Sequence, residues 1–197
     1  GIIDSGRLVI AGDADQLPLT KPYGGPYDIG IINITAPRTV VEVGRDLNIT
    51  IKILNYGYLK ENETFDITVY ANTTLIWTFT NVTVTLRNST TVTFPWNTSG
   101  SARKYINAYI TPVLGETDLE DNTFICYSIK VSCLGDINGD YRTDMLDYQL
   151  VKKAIPSTPT INPGKWDPEA DVNYDNKVDM KDYQIVKRKI PSVAPDP

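Results

Sequence analysis

Asp136-Ile137-Asn138-Gly139-Asp140-Tyr141-Arg142-Thr143-Asp144-Met145-Leu146-Asp147 is followed 35 residues later by Asp171-Val172-Asn173-Tyr174-Asp175-Asn176-Lys177-Val178-Asp179-Met180-Lys181-Asp182. The likeness runs on through Tyr148-Gln149-Leu150-Val151-Lys152-Lys153 and Tyr183-Gln184-Ile185-Val186-Lys187-Arg188 to an Ile-Pro-Ser in both copies. Between 136–157 and 171–192, 13 of 22 positions are identical, so the segment is an internal duplication. Oxygen-bearing side chains stand at loop positions 1, 3, 5, 9 and 12: Asp136, Asn138, Asp140, Asp144 and Asp147, then Asp171, Asn173, Asp175, Asp179 and Asp182. Position 7 adds a backbone carbonyl from Arg142 or Lys177. Ca²⁺ takes roughly six to eight hard oxygens, and a tight loop leading into a helix supplies them; Mg²⁺, with its strict octahedron and retained waters, fits less well. A solvated acidic turn without metal is the competing reading of one such loop, and two loops in register favour the cation. Four aspartates per loop repel one another without it. Two Ca²⁺ add four positive charges to the net −5 and leave −1.

One helix follows each loop. Tyr148, Val151 and Ile155 share a helical face, as do Tyr183, Val186 and Ile190, and Pro156 and Pro191 stop the helices. No helix precedes either loop, so these are loop–helix halves rather than whole EF-hands. Over 134–192 this layout, with Trp166-Asp167-Pro168-Glu169-Ala170-Asp171 between the repeats, resembles the type I dockerin module, archaeal ones in particular. The resemblance implies two near-symmetric halves packed around two Ca²⁺, with helix surfaces that bind a cohesin-like domain. It places partner-contact positions at Met145, Leu146, Met180 and Lys181, and at the basic pairs Lys152-Lys153 and Lys187-Arg188. The sequence departs from that pattern at position 6, usually Gly, where Tyr141 and Asn176 stand. Tyr takes positive φ less readily than Asn, so the first loop is expected to be strained or weaker. Positions 10 and 11 are also larger and more apolar than the common small hydroxyl residues, so cohesin preference does not transfer. Met145 and Leu146 suit either an exposed contact surface or packing of the module on itself.

Residues 27–132 alternate apolar and polar residues with a period of two. Examples are Leu47-Asn48-Ile49-Thr50-Ile51-Lys52-Ile53, Phe65-Asp66-Ile67-Thr68-Val69-Tyr70, Val82-Thr83-Val84-Thr85-Leu86, Thr91-Val92-Thr93-Phe94 and Tyr105-Ile106-Asn107-Ala108-Tyr109-Ile110. Short runs of β-branched and aromatic residues bounded by Asn, Gly or Pro predict about seven to nine strands with one dry face, a sandwich of the immunoglobulin type. Asp28-Ile29-Gly30-Ile31, Asn55-Tyr56-Gly57, Val69-Tyr70-Ala71-Asn72, Phe94-Pro95-Trp96-Asn97-Thr98 and Glu116-Thr117-Asp118-Leu119-Glu120-Asp121-Asn122 together resemble CARDB domains. That resemblance implies a non-catalytic extracellular spacer or adhesion module. Trp77 and Trp96 are expected in the core or at its edge rather than on a sugar-stacking platform.

Residues 1–26 end in Lys21-Pro22-Tyr23-Gly24-Gly25-Pro26, dense in chain breakers, and read as a linker or donor segment with one short strand over Arg7–Ala11. Gly1–Ile10 faintly echoes the tail of a calcium loop but lacks its ligands, and is read as a relic or a strand. The expected division is therefore 1–26, 27–132 and 133–197. The expected fold is a mainly β sandwich, immunoglobulin- or fibronectin III-like, followed by a small α module with two calcium loop–helix repeats.

Composition narrows the chemistry. The chain has 19 Lys+Arg against 24 Asp+Glu, which disfavours a phosphate-binding surface and hence nucleic acid. It has no histidine and two cysteines, which removes Ser-His and Cys-His nucleophile systems and a Cys-only zinc site. No run approaches the ~20 apolar residues of a membrane-spanning helix. No signal-peptide pattern opens the sequence, which a mature chain would have lost. Asn-x-Ser/Thr acceptors at Asn33, Asn48, Asn62, Asn72, Asn81, Asn88 and Asn97 point to N-glycans and an extracellular or cell-surface setting. In that setting Cys126 and Cys133 suit a disulfide, provided the chain turns between them, because a straight strand would hold them ~23 Å apart. The functional expectation is a non-catalytic, calcium-dependent interaction protein whose module docks on a cohesin-like partner. The alternatives are a glycosylated subunit of an extracellular filament that binds copies of itself, and the C-terminal part of a larger secreted hydrolase.

Overall fold

The computed structural model describes the backbone of residues 2–4, 7–9 and 25–193, and the side chains of 25–125 and 128–191. At the start, β1 (Ile2–Asp4) pairs antiparallel with β2 (Arg7–Val9). The single strand expected over Arg7–Ala11 is thus the second arm of a small hairpin; Lys21–Gly24 lies outside the described residues.

Eight strands then build two sheets: β3 (Ile29–Thr35), β4 (Val40–Glu42), β5 (Asp46–Asn55), β6 (Asn62–Ala71), β7 (Thr74–Thr85), β8 (Ser89–Asn97), β9 (Ala102–Ile110) and β10 (Thr123–Ser132). One sheet runs β4-β10-β9-β6-β7 and the other β3-β5-β8. All pairings are antiparallel except β4 with β10. The chain therefore changes sheets between β3 and β4, and Arg38 lies on that crossover. The period-two pattern sets which side of each strand is dry. Leu47, Ile49, Ile51 and Ile53 face Phe65, Ile67, Val69, Ile106, Ala108 and Ile110 across the core. Each fully buried Ile, Val or Phe contributes about 1.5–3 kcal/mol relative to exposure. On the wet faces, threonines pair across strands, Thr50 with Thr93 at 3.0 Å and Thr64 with Thr83 at 3.1 Å between hydroxyl oxygens. Trp96 is in the core, whereas Trp77 sits at its edge, stacked on Phe94 with 5.3 Å between ring centroids.

The structure corrects the expected disulfide. β10 continues through Cys126 to Ser132 with a bulge between Ile125 and Ser128, so no reversing turn separates the two cysteines. Cys133 carries a free thiol, 3.2 Å from the Thr143 hydroxyl. The side chain of Cys126 lies outside the described residues.

Three residues after β10 the duplicated segment begins. It contains α1 (Met145–Ala154) and α2 (Met180–Lys189), which end before Pro156 and Pro191 because proline cannot continue the helix. A second core forms from Ile137, Val151, Ala154, Ala170, Val172, Val178 and Val186, with Tyr148, Tyr183 and Trp166 packed around it. The two repeats clasp each other reciprocally. β11 (Arg142–Thr143) in the first loop pairs with β12 (Ser192–Val193) after the second helix, and Val178 in the second loop bridges to Ser157 after the first. Between the helices Tyr148 and Tyr183 pack at 4.6 Å and join their hydroxyls.

Candidate metal centre

The twelve-residue loops share one hydrogen-bond plan. In the first, Asp136 accepts from the amides of Gly139 (2.6 Å), Asp140 (3.1 Å) and Tyr141 (2.8 Å), drawing the chain around its own carboxylate. Asn138 accepts from the amide of Asp140 at 2.9 Å, and Asp140 from that of Arg142 at 2.9 Å. Asp147 reaches back from the first helical turn: one oxygen accepts from Ile137 (2.7 Å) and Asn138 (3.1 Å), the other from Asp144 (2.9 Å). In the second loop, Asp171 accepts from Asp175 (3.1 Å) and Asn176 (2.9 Å). Asn173 accepts there from Asp175 and Asp175 from Lys177, while Asp182 accepts from Val172, Asn173 and Asp179. Positions 1, 3, 5 and 12 are thus brought to one loop in each repeat.

Position 9 has a double duty. Asp144 and Asp179 are the helix N-caps, accepting from Leu146 at 2.7 Å and Lys181 at 2.6 Å, and each forms a capping box with the position-12 aspartate. Position 7 is Arg142 in the first loop and Lys177 in the second; their amides donate to Asp140 and Asp175. At position 6 both loops take positive φ, 70° at Tyr141 and 62° at Asn176. The strain expected of tyrosine there is present in the backbone, and the loop keeps the same hydrogen-bond plan as its twin.

The electrostatics of the loops suit a hard dication. Asp147 and Asp182 are fully buried and Asp136 and Asp171 nearly so. Among the described residues, no Lys or Arg side chain forms an ion pair with any of these four; the one ion pair in the loops is Lys181 with Asp175, at 3.9 Å. Burial pushes Asp136, Asp171 and Asp182 above the usual carboxylate range, against the loop-amide hydrogen bonds that pull them down. A divalent cation is the group that compensates buried, unpaired carboxylates. Among the described residues, no three carboxylates close into a cage, because their oxygens are turned to the loop amides. The donor set is nevertheless all hard oxygen, and Asp136, Asn138, Asp140, Asp144 and Asp147, with Asp171, Asn173, Asp175, Asp179 and Asp182, are the residues that would hold Ca²⁺.

The positions expected to meet a partner all lie in the open. Met145, Leu146 and Met180 are more than half exposed at the starts of the helices, and Lys181 beside them is exposed. Lys152, Lys153, Lys187 and Arg188 are exposed on the last turns, where they also complement the helix dipole. The seven acceptor asparagines are exposed too. The side-chain amide of Asn97 donates to Asp46 and Gly44. Sequence reasoning missed the tyrosine pair between the helices, although identical placement in the two repeats was a usable signal. It also missed Arg38 and Glu169, which join the sandwich to the loops and carry no local pattern.

Residues 134–191 match the model of the dockerin type I domain family. No curated protein matches the chain. Among solved structures, the chain is similar to a CARDB domain from Pyrococcus furiosus, crystallised in complex with di-metal ions. The identity is 23% and the TM-score 0.46, over 53% of this chain and 88% of that one. A solution NMR structure of the same domain gives 23% identity and a TM-score of 0.45, over 53% and 94%. A beta-glucosidase from Listeria innocua in complex with isofagomine is 12% identical with a TM-score of 0.38, over 53% of this chain and 16% of its own.

Proposed function

We propose that the chain is a non-catalytic, calcium-dependent docking protein that works outside the cell. Residues 133–197 form the docking module, 27–132 a sandwich that spaces it from its surroundings, and 1–26 a leading segment. The observation that carries the reading is the pair of loops whose first and last aspartates are buried without a direct ion pair among the described residues; Arg38 lies near Asp171 but donates to its backbone carbonyl. Each loop takes one Ca²⁺, two per chain. Bound there, Ca²⁺ supplies positive charge and a fixed centre for the oxygens. The chain's own residues do the rest. Asp147 and Asp182 tie the helix starts to loop positions 2 and 3, and the tyrosine pair holds the helices together. The reciprocal clasp fixes one repeat on the other. That order presents Met145, Leu146, Met180 and Lys181 with the basic pairs Lys152-Lys153 and Lys187-Arg188 as a contact surface for a cohesin-type domain. The absence of histidine from the sequence and the non-catalytic character of dockerin modules weigh against catalysis. The exposure of Asn33, Asn48, Asn62, Asn72, Asn81, Asn88 and Asn97 supports N-glycans.

The test is capture of purified cohesin domains by the immobilised full chain. Binding in calcium, loss on chelation, and weakening by Met145→Ala with Leu146→Ala support the reading. Equal capture with and without chelator rejects it. Assembly of copies is the second reading. It is supported by β7, a 12-residue strand at the edge of its sheet. A light-scattering molar mass that rises with protein concentration, without a cohesin, would favour it.

A further inference from the structure

The calcium loops do not project into solvent; both rest on the sandwich. The contact is made by position 4 of each loop, the place where the repeats differ most in size. In the first loop it is Gly139, at φ 71°. A Cβ there would come within 2.6 Å of the Lys130 side chain and 3.0 Å of Val40, so a larger residue would have to displace the Lys130 chain and crowd β4 where glycine lies against them at no cost. In the second loop it is Tyr174, held at φ 65°, a conformation that tyrosine keeps only where its surroundings impose it. Its ring meets two guanidinium groups of the sandwich, Arg38 at 3.9 Å and Arg45 at 4.3 Å from the ring centroid.

The first ligand of each loop lies in the same joint. The Ser132 hydroxyl, at the end of β10, donates to Asp136 at 2.5 Å. The Arg38 guanidinium donates to the Asp171 carbonyl at 3.3 and 3.4 Å. Glu169, two residues ahead of the second loop, accepts from the Thr39 amide (2.7 Å), the Thr39 hydroxyl (2.8 Å) and the Val40 amide (3.3 Å). The crevice between the two cores, lined by Arg38, Val41, Asp136, Glu169, Val172 and Tyr174, has a cavity volume of about 20 Å³, room for about one water.

Position 4 lies between ligands 3 and 5. Whatever fixes those oxygens therefore fixes the residue that touches the sandwich. We propose that the sandwich is the intramolecular partner of both calcium loops: ion binding locks Gly139 and Tyr174 onto Lys130, Val40, Arg38 and Arg45 and makes the chain one rigid body, and the docked sandwich in turn tightens ion binding. This rests on the calcium reading of the loops. The two effects are one coupling free energy and must be equal in size. Arg38, Arg45 and Tyr174 are positioning residues and donate no ligand side chain.

The experiment is ¹⁵N relaxation on the full chain, with calcium titrated by calorimetry in parallel. With Ca²⁺, amides of the sandwich and of the module should report one rotational correlation time; after chelation they should report two. Arg45→Ala combined with Tyr174→Gly should separate the two times even in calcium and weaken calcium binding about fivefold or more, the low end of typical couplings. Arg45 is exposed and glycine accepts the φ of Tyr174, so both changes leave the folds intact; Arg38→Ala is the stronger variant, read only if the sandwich amide spectrum is retained. A common correlation time in chelator as well as in calcium, with calcium heat intact, overturns the coupling between ion and joint and leaves the docking function standing. Absence of calcium heat overturns both.

Discussion

Asp147→Asn separates the two duties of the position-12 aspartate. The carboxylate is fully buried and accepts three backbone N–H bonds, from Ile137, Asn138 and Asp144. The amide keeps one acceptor oxygen for Ile137 and Asn138 but points an NH₂ at the Asp144 amide. One charge-assisted bond is lost, worth about 1.5–3 kcal/mol. That loss is felt with or without calcium. If Asp147 is also a ligand, the variant forfeits the ion's contribution at the first loop. A site held at 100 times its Kd adds about 2.7 kcal/mol. The stability gap between wild type and variant should therefore be about 2 kcal/mol in chelator and widen to about 5 kcal/mol at saturating calcium. Urea unfolding followed by near-UV circular dichroism, in paired series with calcium and chelator, reads both gaps. An equal gap in the two series would show that Asp147 only caps the helix and braces the loop, and the ligand role would fall.

The same loops predict a sign change with pH. Asp136, Asp171 and Asp182 have raised values in the fold, so their contribution to the calcium-free protein is full below the ordinary carboxylate value of 3.8 and is lost as pH rises through the raised values. The calcium-free melting temperature should fall, as far as these groups decide it, as pH rises from about 4, while that of the calcium-loaded protein rises because protons and Ca²⁺ compete for the same oxygens. Scanning calorimetry at stepped pH checks both slopes. Tyr141→Gly removes a side chain from φ 70° and should raise stability by up to about 1 kcal/mol, measured by chemical denaturation. Val186→Ala empties a fully buried place between the helices and should cost about 2 kcal/mol in the same assay.

Much of the fold was legible because it is written in periodicity. The two-residue alternation in β5, β6 and β9 fixed which side chains face the core, and the prolines at 156 and 191 fixed where the helices stop. The loop geometry was legible because the duplication repeats one spacing, and the hydrogen-bond plan repeats with it, Asp147 and Asp182 reaching back to the same loop positions. The disulfide was not. Its reading depended on a turn between Cys126 and Cys133, whereas β10 carries the chain straight on to pair with β4 and β9. The joint was invisible for a different reason. Arg38 and Tyr174 are 136 positions apart and neither belongs to a local pattern. Their meeting is decided by the three-residue connection after β10 and by the sheet switch between β3 and β4. Gly139 and Tyr174 differ between the repeats, and it is the sandwich beside them that gives the difference a physical reason.

Calorimetric titration of calcium into the stripped full chain tests the central claim most directly. Two ions per chain are predicted, falling to one in Asp147→Asn. No saturable heat, or a stoichiometry untouched by that substitution, would contradict it.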